Sequence, residues 1–311
     1  MTRGLDWFDA FREIAPDWSV VLLGLVTQLG DVWFLGLLVG TVYWTDRTDR
    51  DEAAAIVGIM LSGLSLITAL KAAFALPRPE RVLVEVGTLP ELVRPLYEAT
   101  TTATGYGFPS GHALMSTVVY LTLAEYWSVG TRRRRYLVAT SVVIAVCFSR
   151  IGLGVHYFVD VVAGAGAGLA FLLLIRPLLD RYPTHRGTLA FAIAVGTATV
   201  ALVVSEMTPD AVLLFGASLG AFAGWQFAVL ARAREAGHGP IRTSRPLTAR
   251  AIGVVLSIVV LVAVTTFFGP VSLAAQSIAL GAVAATFVAV PVVYRSEQVR
   301  NRGRRSPTGL R

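Results

Sequence analysis

The chain has 311 residues, of which 55% are hydrophobic and 15% are charged, and its formal net charge is +7. An average soluble protein carries about 25% charged residues, so this composition leaves too little polar surface to cover a water-soluble globule. It argues against a soluble domain and indicates a polytopic membrane protein. The single cysteine, Cys147, lies in an apolar run, so an internal disulfide is impossible and the redox compartment is undetermined.

The first 18 residues do not have the pattern of a signal peptide, because Asp6, Asp9 and Glu13 occupy the place where an apolar core is needed. Four other residues of this segment have a helical spacing, which predicts an amphipathic helix at the membrane interface. They are Leu5, Phe8, Phe11 and Arg12. A frayed terminus explains the same residues equally well.

Nine apolar segments are candidates for membrane-spanning helices, which need roughly 20 residues each. They are predicted at 18–44, 53–75, 110–129, 136–154, 157–177, 188–205, 210–231, 250–268 and 271–294. The first is long and has Asp31 near its middle, so it is expected to be tilted or broken. The predicted fold class is an all-α membrane bundle of about nine helices, five of them in a core at 1–180 and four in an extension at 188–294.

The basic residues are distributed unevenly between the two sides of the predicted bundle. If the spans alternate in direction, one side holds 20 of the 27 lysines and arginines, in the segments 45–52, 128–135, 176–187, 232–250 and 295–311. The positive-inside bias places this side, including the basic tail at 295–311, in the cytoplasm and the N-terminus outside. Runs such as TRRRRY are better explained as anchors beside anionic headgroups than as nucleic-acid-binding sites, so no nucleic-acid partner is expected.

Three polar clusters fall on the opposite, extracytoplasmic side, and the first is KAAFALPRP at 71–79. Lys71, the only lysine of the chain, ends the second span, and Arg78 follows between Pro77 and Pro79. The prolines stop the helix and stiffen its exit. Two cations held close together suit an anionic group, although two side chains that merely reach the interface from a helix end give the same pattern.

The second cluster, GFPSGHA at 107–113, opens the third span. A helix N-terminus presents free backbone N–H groups and the positive end of the helix dipole, which together suit an anion. Ser110 can cap the helix or donate its hydroxyl, and Gly111 allows a ligand to approach the backbone closely. His112 follows in the first turn. An ordinary capped helix with an interfacial histidine is the alternative.

The third cluster, SRIGLGVHYFVD at 149–160, joins the fourth and fifth spans. Ser149 and Arg150 end one span, and His156 and Asp160 open the next, four residues apart and therefore on one helix face. The carboxylate of Asp160 can accept a hydrogen bond from one imidazole nitrogen and leave the other free as a base or nucleophile. A mutually satisfied buried pair is the alternative.

Together the clusters supply three cations, helix-end amides, two histidines and an acid at helix ends that can converge. Ionisable residues within membrane segments are candidates for functional sites. This set suits phosphoryl transfer, which depends on positioning and on neutralisation of charge. One histidine would attack as the nucleophile and the other would protonate the leaving oxygen. Because the sequence contains no carboxylate cluster or Cys/His set, neither a metal nor another cofactor is expected.

The three clusters resemble the motifs of the type 2 phosphatidate phosphatases, or lipid phosphate phosphatases, which share their site with vanadium haloperoxidases. The first motif is Lys, six residues and Arg-Pro; the second is Pro-Ser-Gly-His; the third is Ser-Arg, five residues, His, three residues and Asp. All three match in order and without substitution, at Lys71 to Pro79, Pro109 to His112 and Ser149 to Asp160. The resemblance covers roughly residues 20–180.

The resemblance implies a role for each of these residues. His156 would form a phosphohistidine, Asp160 would orient it, and His112 would protonate the leaving group. The phosphate oxygens would be bound by Lys71, Arg78, Ser110, the amide of Gly111 and Arg150. The implied reaction is independent of metals and takes place at the outer membrane face.

The motifs assign no role to two regions of the chain. The segment 77–108 is polar and carries Glu80, Glu85, Glu91 and Glu98, and it is expected to roof the site and to help select the substrate. The extension at 188–294 lies outside the resemblance and could be an oligomer interface, a wall for lipid entry or a separate module. Close helix packing is predicted at Gly164, Gly168, Gly216, Gly220 and Gly224.

The sequence therefore predicts an integral membrane phosphatase that hydrolyses a lipid phosphate or a prenyl (pyro)phosphate. A phosphotransferase or headgroup transferase is the alternative among enzymes, and a non-catalytic phospholipid transporter or scramblase is the alternative from another class. The apolar composition disfavours a haloperoxidase. The complete histidine and aspartate set favours catalysis, because binding alone needs only the cations. The sequence leaves open the lipid, the pathway and whether the protein is oligomeric.

Overall fold

The computed structural model of the protein describes residues 16, 18–45, 49–79, 91, 94–101, 105–236 and 272–304. Within these ranges the chain forms helices and no strand, so the predicted all-α fold is confirmed. The helices are α1 (Ser19–Gln28), α2 (Val32–Trp44), α3 (Arg50–Phe74), α4 (Arg94–Thr101), α5 (Gly111–Tyr126), α6 (Arg132–Gly152), α7 (Phe158–Arg181), α8 (Arg186–Val204), α9 (Pro209–Ala236) and α10 (Leu273–Arg304). A short 3-10 helix, Pro183–His185, precedes α8.

Six of the described helices are long and apolar enough to cross a membrane: α3, α6, α7, α8, α9 and α10. The pair α1 and α2 adds a seventh span if the two are counted together. Helix α5 has 16 residues, fewer than the roughly 20 that a span requires. The predicted span at 250–268 lies outside the described residues, so the count of nine is not confirmed.

The predicted first span is broken at residues 29–31, where α1 and α2 meet at an angle of 44°. Asp31 is the N-cap of α2, and its side chain accepts a hydrogen bond from the backbone N–H of Trp33 at 3.4 Å. This bond satisfies one of the backbone donors that a helix start leaves free. The carbonyl of Leu29 accepts a hydrogen bond from the hydroxyl of Tyr120 at 2.8 Å, which attaches the break to α5.

Helix α3 is the most enclosed of the candidate spans, and it packs against α5, α8 and α9. Small residues allow this close approach. An added Cβ on Gly58 would lie 2.7 Å from the backbone of Ala190 on α8, so glycine is required for the two helices to meet. The large side chains Tyr43, Phe191 and Trp225 fill the remaining space and are almost completely buried.

The predicted close packing at five glycines is confirmed. An added Cβ on Gly164 or Gly168 of α7 would overlap backbone atoms of α5 or its N-cap. Added Cβ atoms on three glycines of α9 would overlap the backbone of α10: Gly216, Gly220 and Gly224. The first contact brings the starts of α5 and α7 together, and the second joins α9 to α10, two of the three described helices of the extension.

Charged side chains from several helix ends meet at one end of the bundle. Arg186, at the start of α8, pairs with Glu52 of α3 at 3.0 Å and with Asp180 of α7 at 3.1 Å. Arg176 of α7 lies 4.0 Å from Glu125, near the end of α5. These pairs place the start of α3, the ends of α5 and α7 and the start of α8 on one side, as expected for helices that alternate in direction.

Several predictions fall on residues that the structure does not describe. They are the interfacial helix at 1–18, of which only residues 16 and 18 are described, most of the roof at 77–108, with Glu80 and Glu85, and residues 305–311 of the tail. Helix α10 continues to Arg304, so the first part of the predicted tail at 295–311 prolongs the last helix.

Candidate active site

The three polar clusters meet at a cavity of about 700 Å³, at the ends of α3 and α6 and the starts of α5 and α7. Each cluster contributes to its wall, with Lys71 and Arg78 from the first, Gly111 and His112 from the second, and Arg150 and His156 from the third. Ser110 and Asp160 are fully buried beside these residues. All eight predicted site residues are therefore neighbours.

The first cluster lies alongside the second. Helix α3 ends at Phe74, and Ala75 takes up the left-handed conformation with φ of 49° before the chain turns away. The backbone N–H of Gly107 then donates to the carbonyl of Leu76 at 2.8 Å. An added Cβ on Gly107 would lie 2.9 Å from Cα of Arg78, so the segments can run side by side only because residue 107 is glycine.

The second cluster is held against the third. The backbone N–H of Ser110 donates to the carbonyl of Asp160 at 2.9 Å, and Gly164 leaves room for the backbone of Ser110. On the other side of the helix start, an added Cβ on Gly111 would lie 3.7 Å from Nζ of Lys71. The first-turn amides of α5, which have no acceptor within the helix, thus lie beside the ammonium group of Lys71.

His156 and Asp160 form a buried pair, with 3.4 Å between Nδ1 of the imidazole and Oδ2 of the carboxylate. The same Oδ2 accepts a hydrogen bond from the backbone N–H of Tyr157 at 3.0 Å. The expectation that both residues lie in one helix is wrong, because α7 begins at Phe158 and His156 precedes it. The pairing still forms, since the carboxylate in the first turn of α7 reaches back to the residues before the helix.

The other imidazole nitrogen of His156, Nε2, lies 3.2 Å from Nη1 of Arg78. A guanidinium group can only donate, so Nε2 is the acceptor and the ring proton belongs on Nδ1, which faces Asp160. Burial, followed by the charges of Arg150, Arg78 and Lys71, lowers the pKa of His156 well below its ordinary value. The imidazole is therefore neutral at pH 7, with a lone pair on Nε2.

Arg150 is almost completely buried, with an exposed fraction of 1%. Its Nη1 donates to the hydroxyl of Thr27 on α1 at 2.8 Å. Among the described residues, Nε of Arg150, Nε of Arg78 and the hydroxyl of Ser110 have no hydrogen-bond partner. Buried donors without an acceptor are unfavourable, and phosphate oxygens are strong acceptors for such groups.

The first span, in α1 and at the break after it, contributes site residues that the sequence motifs do not include. Oδ2 of Asp31 lies 3.7 Å from Nε2 of His112, and Thr27 holds Arg150 as described above. Gly30 packs against His112, since an added Cβ would lie 3.3 Å from Cδ2 of that ring. An ionisable residue inside a predicted span is the signal that points to Asp31, whereas Thr27 carries no comparable signal.

Among the described residues, no group of three or more His, Cys, Asp or Glu side chains could hold a metal ion. The absence of a metal and of any other cofactor remains a prediction. The role of the roof's acidic residues in substrate selection also remains a prediction. Two other residues of the roof segment, Gly105 and Tyr106, line the cavity.

Residues 52–182 match the PAP2 superfamily, and this region contains all three motifs. Phosphatidylglycerophosphatase B of Bacillus subtilis is 29% identical to this chain over 102 residues, which is 31% of this chain and 50% of that protein. The chain thus spans about half the length of this curated relative. No solved structure matches the chain significantly. The match over residues 52–182, the three motifs within it and the bacterial relative support a type 2 phosphatidate phosphatase-like, or PAP2, superfamily for this region of the chain.

Proposed function

We propose that this protein is an integral membrane phosphatase that hydrolyses a lipid phosphate or a prenyl (pyro)phosphate through a phosphohistidine at His156. The observation that carries the proposal is the environment of His156, whose Nδ1 faces Asp160 while Nε2 lies beside Arg78. The family match and the name of the bacterial relative support the phosphatase class.

In the first step, the phosphate group lies between Lys71, Arg78 and Arg150, which neutralise its charge. Nε2 of His156 attacks phosphorus, so that a P–N bond forms and the bond from phosphorus to the leaving oxygen breaks. His112 donates a proton to that oxygen, and the lipid alcohol or the shorter phosphate departs. Asp160 stabilises the positive charge that develops on the imidazole of His156.

In the second step, His112 has lost its proton and acts as a general base towards a water molecule. The oxygen of this water attacks phosphorus, the P–N bond breaks, and inorganic phosphate is released. The proton taken from water restores His112 for the next cycle. Asp31, at 3.7 Å, orients the ring of His112 in both steps and offers a negative charge to its protonated form.

The site is proposed to face the extracytoplasmic side of the membrane. It lies at the ends of α3 and α6 and the starts of α5 and α7, whereas the ion pairs of Arg186 and Arg176 lie at the other ends of these helices. Most of the basic residues flank that second end, which the positive-inside bias assigns to the cytoplasm.

The activity can be tested with the purified full-length chain in detergent micelles. Phosphate release is measured from phosphatidate, phosphatidylglycerophosphate and a prenyl diphosphate, with and without EDTA. We expect release from at least one of them, undiminished by EDTA. His156→Ala should lower kcat by at least about 10³-fold, because it removes the nucleophile. His185→Ala, an exposed histidine at the other end of the bundle, is the matched control and should retain full activity.

The phosphohistidine can be detected directly. Rapid quenching during turnover of radiolabelled substrate should trap a protein-bound phosphate that is stable in alkali and labile in acid, and that is absent from His156→Ala. Full activity of His156→Ala would overturn the mechanism. Phosphate transfer to an added alcohol without release in water would favour a phosphotransferase, and lipid movement without any release would favour a transporter.

A further inference from the structure

The cavity that contains His156 extends beyond the family region into the C-terminal helices. Its wall includes Ser205, Thr208 and Asp210, where α8 passes into α9, Leu213 and Leu214 in the first turns of α9, and Leu280 on α10. All six residues lie outside the matched region 52–182. Asp210 and Lys71 line the same cavity, so this corner of the wall faces the space that the cations also line.

Helix α10 is held in place from two sides. Gly220 of α9 meets the backbone of Gly281 so closely that neither position leaves space for a larger residue. On the other side, the hydroxyl of Tyr43 on α2 donates to the carbonyl of Val288 at 2.6 Å, and its ring stacks on Phe287 with centroids 5.7 Å apart. Helices α9 and α10 are therefore built into the wall of the bundle rather than forming a separate module.

The residues that line the cavity differ in chemistry. The cations and histidines come from the family region, whereas Leu213, Leu214 and Leu280 present apolar side chains, continued on α3 by Leu64 and Ile67. Leu280 is 40% exposed, so the apolar wall reaches the surface of the bundle, which lipid surrounds in a membrane. A volume of about 700 Å³ is within the range of ligand pockets and can hold a headgroup together with the start of a hydrocarbon chain.

We infer that α9 and α10 form the binding surface for the hydrocarbon chain of the substrate, with Leu214 and Leu280 as its specificity-determining residues. The inference rests on the proposed function, which places the phosphate of the same molecule at Lys71, Arg78 and Arg150. The apolar residues and these cations line one cavity, which favours a lipid chain over a second copy of the protein, because one amphiphilic molecule can contact both kinds of residue.

The test fills the cavity beside the apolar wall with a larger side chain, and it compares substrates with and without a hydrocarbon chain. Leu214→Trp and Leu280→Trp are compared with Leu219→Trp and Ile278→Trp, which lie on the same two helices, 46% and 73% exposed, and outside the cavity wall. Hydrolysis is measured with dioleoyl phosphatidate and with p-nitrophenyl phosphate, which has no hydrocarbon chain. The cavity variants should lower kcat/KM for dioleoyl phosphatidate about 10-fold or more relative to p-nitrophenyl phosphate. The two control variants should keep the wild-type ratio.

A binding measurement separates this inference from the proposed function. The measurement uses His156→Ala protein, so that binding is observed without turnover. In this background the cavity variants should weaken the binding of pyrene-labelled phosphatidate about 10-fold, and the control variants should not. If wild-type protein hydrolyses no substrate but the binding difference is present, the proposed function fails and the chain-binding wall stands. If the cavity and control variants unfold at the wild-type temperature and bind the labelled lipid equally well, the inference that α9 and α10 bind the hydrocarbon chain is wrong. Leu280→Ala provides a second variant should Leu280→Trp fail to fold.

Discussion

The carboxylate of Asp31 serves two neighbours at once: Oδ1 accepts the N–H of Trp33 at the start of α2, and Oδ2 lies 3.7 Å from Nε2 of His112. The break in the first span thus has two consequences. It ends α1 and starts α2, and it presents a carboxylate to the histidine proposed as the acid. A continuous helix through residues 29–31 would bond these amides internally and leave no N-cap at position 31.

Substitution of Asp31 separates its two roles. Asn is as good an N-cap as Asp, so Asp31→Asn should leave the unfolding temperature unchanged. It removes the charge beside His112 and should lower kcat about 10- to 100-fold with little change in KM, because His112 acts on the leaving group and not on binding. Asp31→Ala should lose the same activity and about 1 kcal/mol of stability as well. Wild-type kcat for Asp31→Asn would mean that the residue only caps α2.

The pairing of Asp160 with His156 predicts a defect in chemistry rather than in folding. Asp160→Asn keeps the size of the side chain but allows the amide to donate to Nδ1, which favours the ring proton on Nε2, the attacking atom. A similar exchange at a buried histidine–aspartate pair lowers kcat by about 10⁴-fold, and a comparable loss is expected here with unchanged KM. Steady-state kinetics and alkaline trapping of the phosphoprotein measure the effect. An Asp160→Asn enzyme that still forms the intermediate at the wild-type rate would contradict the assigned tautomer.

The low pKa of His156 predicts how activity depends on pH. The free enzyme loses its nucleophile only when His156 is protonated, so kcat/KM should fall on the acid side well below the ordinary imidazole pKa of about 6.5. Arg78→Gln removes one of the cations that lower the pKa of His156, so the acid limb should move to higher pH. The measured quantity is the pH at which kcat/KM falls on the acid side, because weaker phosphate binding changes only the maximal value of kcat/KM.

Arg133→Gln is the control for this pH experiment. Arg133 is exposed in the first turn of α6, at the end of that helix opposite Arg150, and its removal should leave the profile unchanged. A profile that does not move in Arg78→Gln would show that the 3.2 Å contact between Arg78 and His156 is absent from the working enzyme.

Much of the site follows from the sequence because its residues sit at helix ends. Prolines at 77 and 79, the Pro-Ser-Gly run before His112, and the turn between Arg150 and His156 each mark the end or start of a helix. Alternating spans then bring these ends to one side. The contribution of Thr27 could not be predicted, since its hydroxyl meets Arg150 only through the packing of α1 on α6. The placement of Leu280 likewise depends on tertiary contacts of α10 with α9 and α2.

The last prediction concerns the contact that holds the second and third motifs together. An added Cβ on Gly164 would overlap the backbone of Ser110, so Gly164→Ala should push the start of α5 away from α7 and displace His112 from His156. We expect a loss of about 1–3 kcal/mol in unfolding free energy, typical of overpacking, and a fall in kcat/KM of about 10-fold or more.

Gly166 is two residues away on the same helix, and an added Cβ there meets no atom of the described residues within 4 Å. Gly166→Ala should therefore keep full activity and gain up to about 1 kcal/mol from helix propensity. Equal behaviour of the two variants would show that the approach of α7 to Ser110 does not position the site.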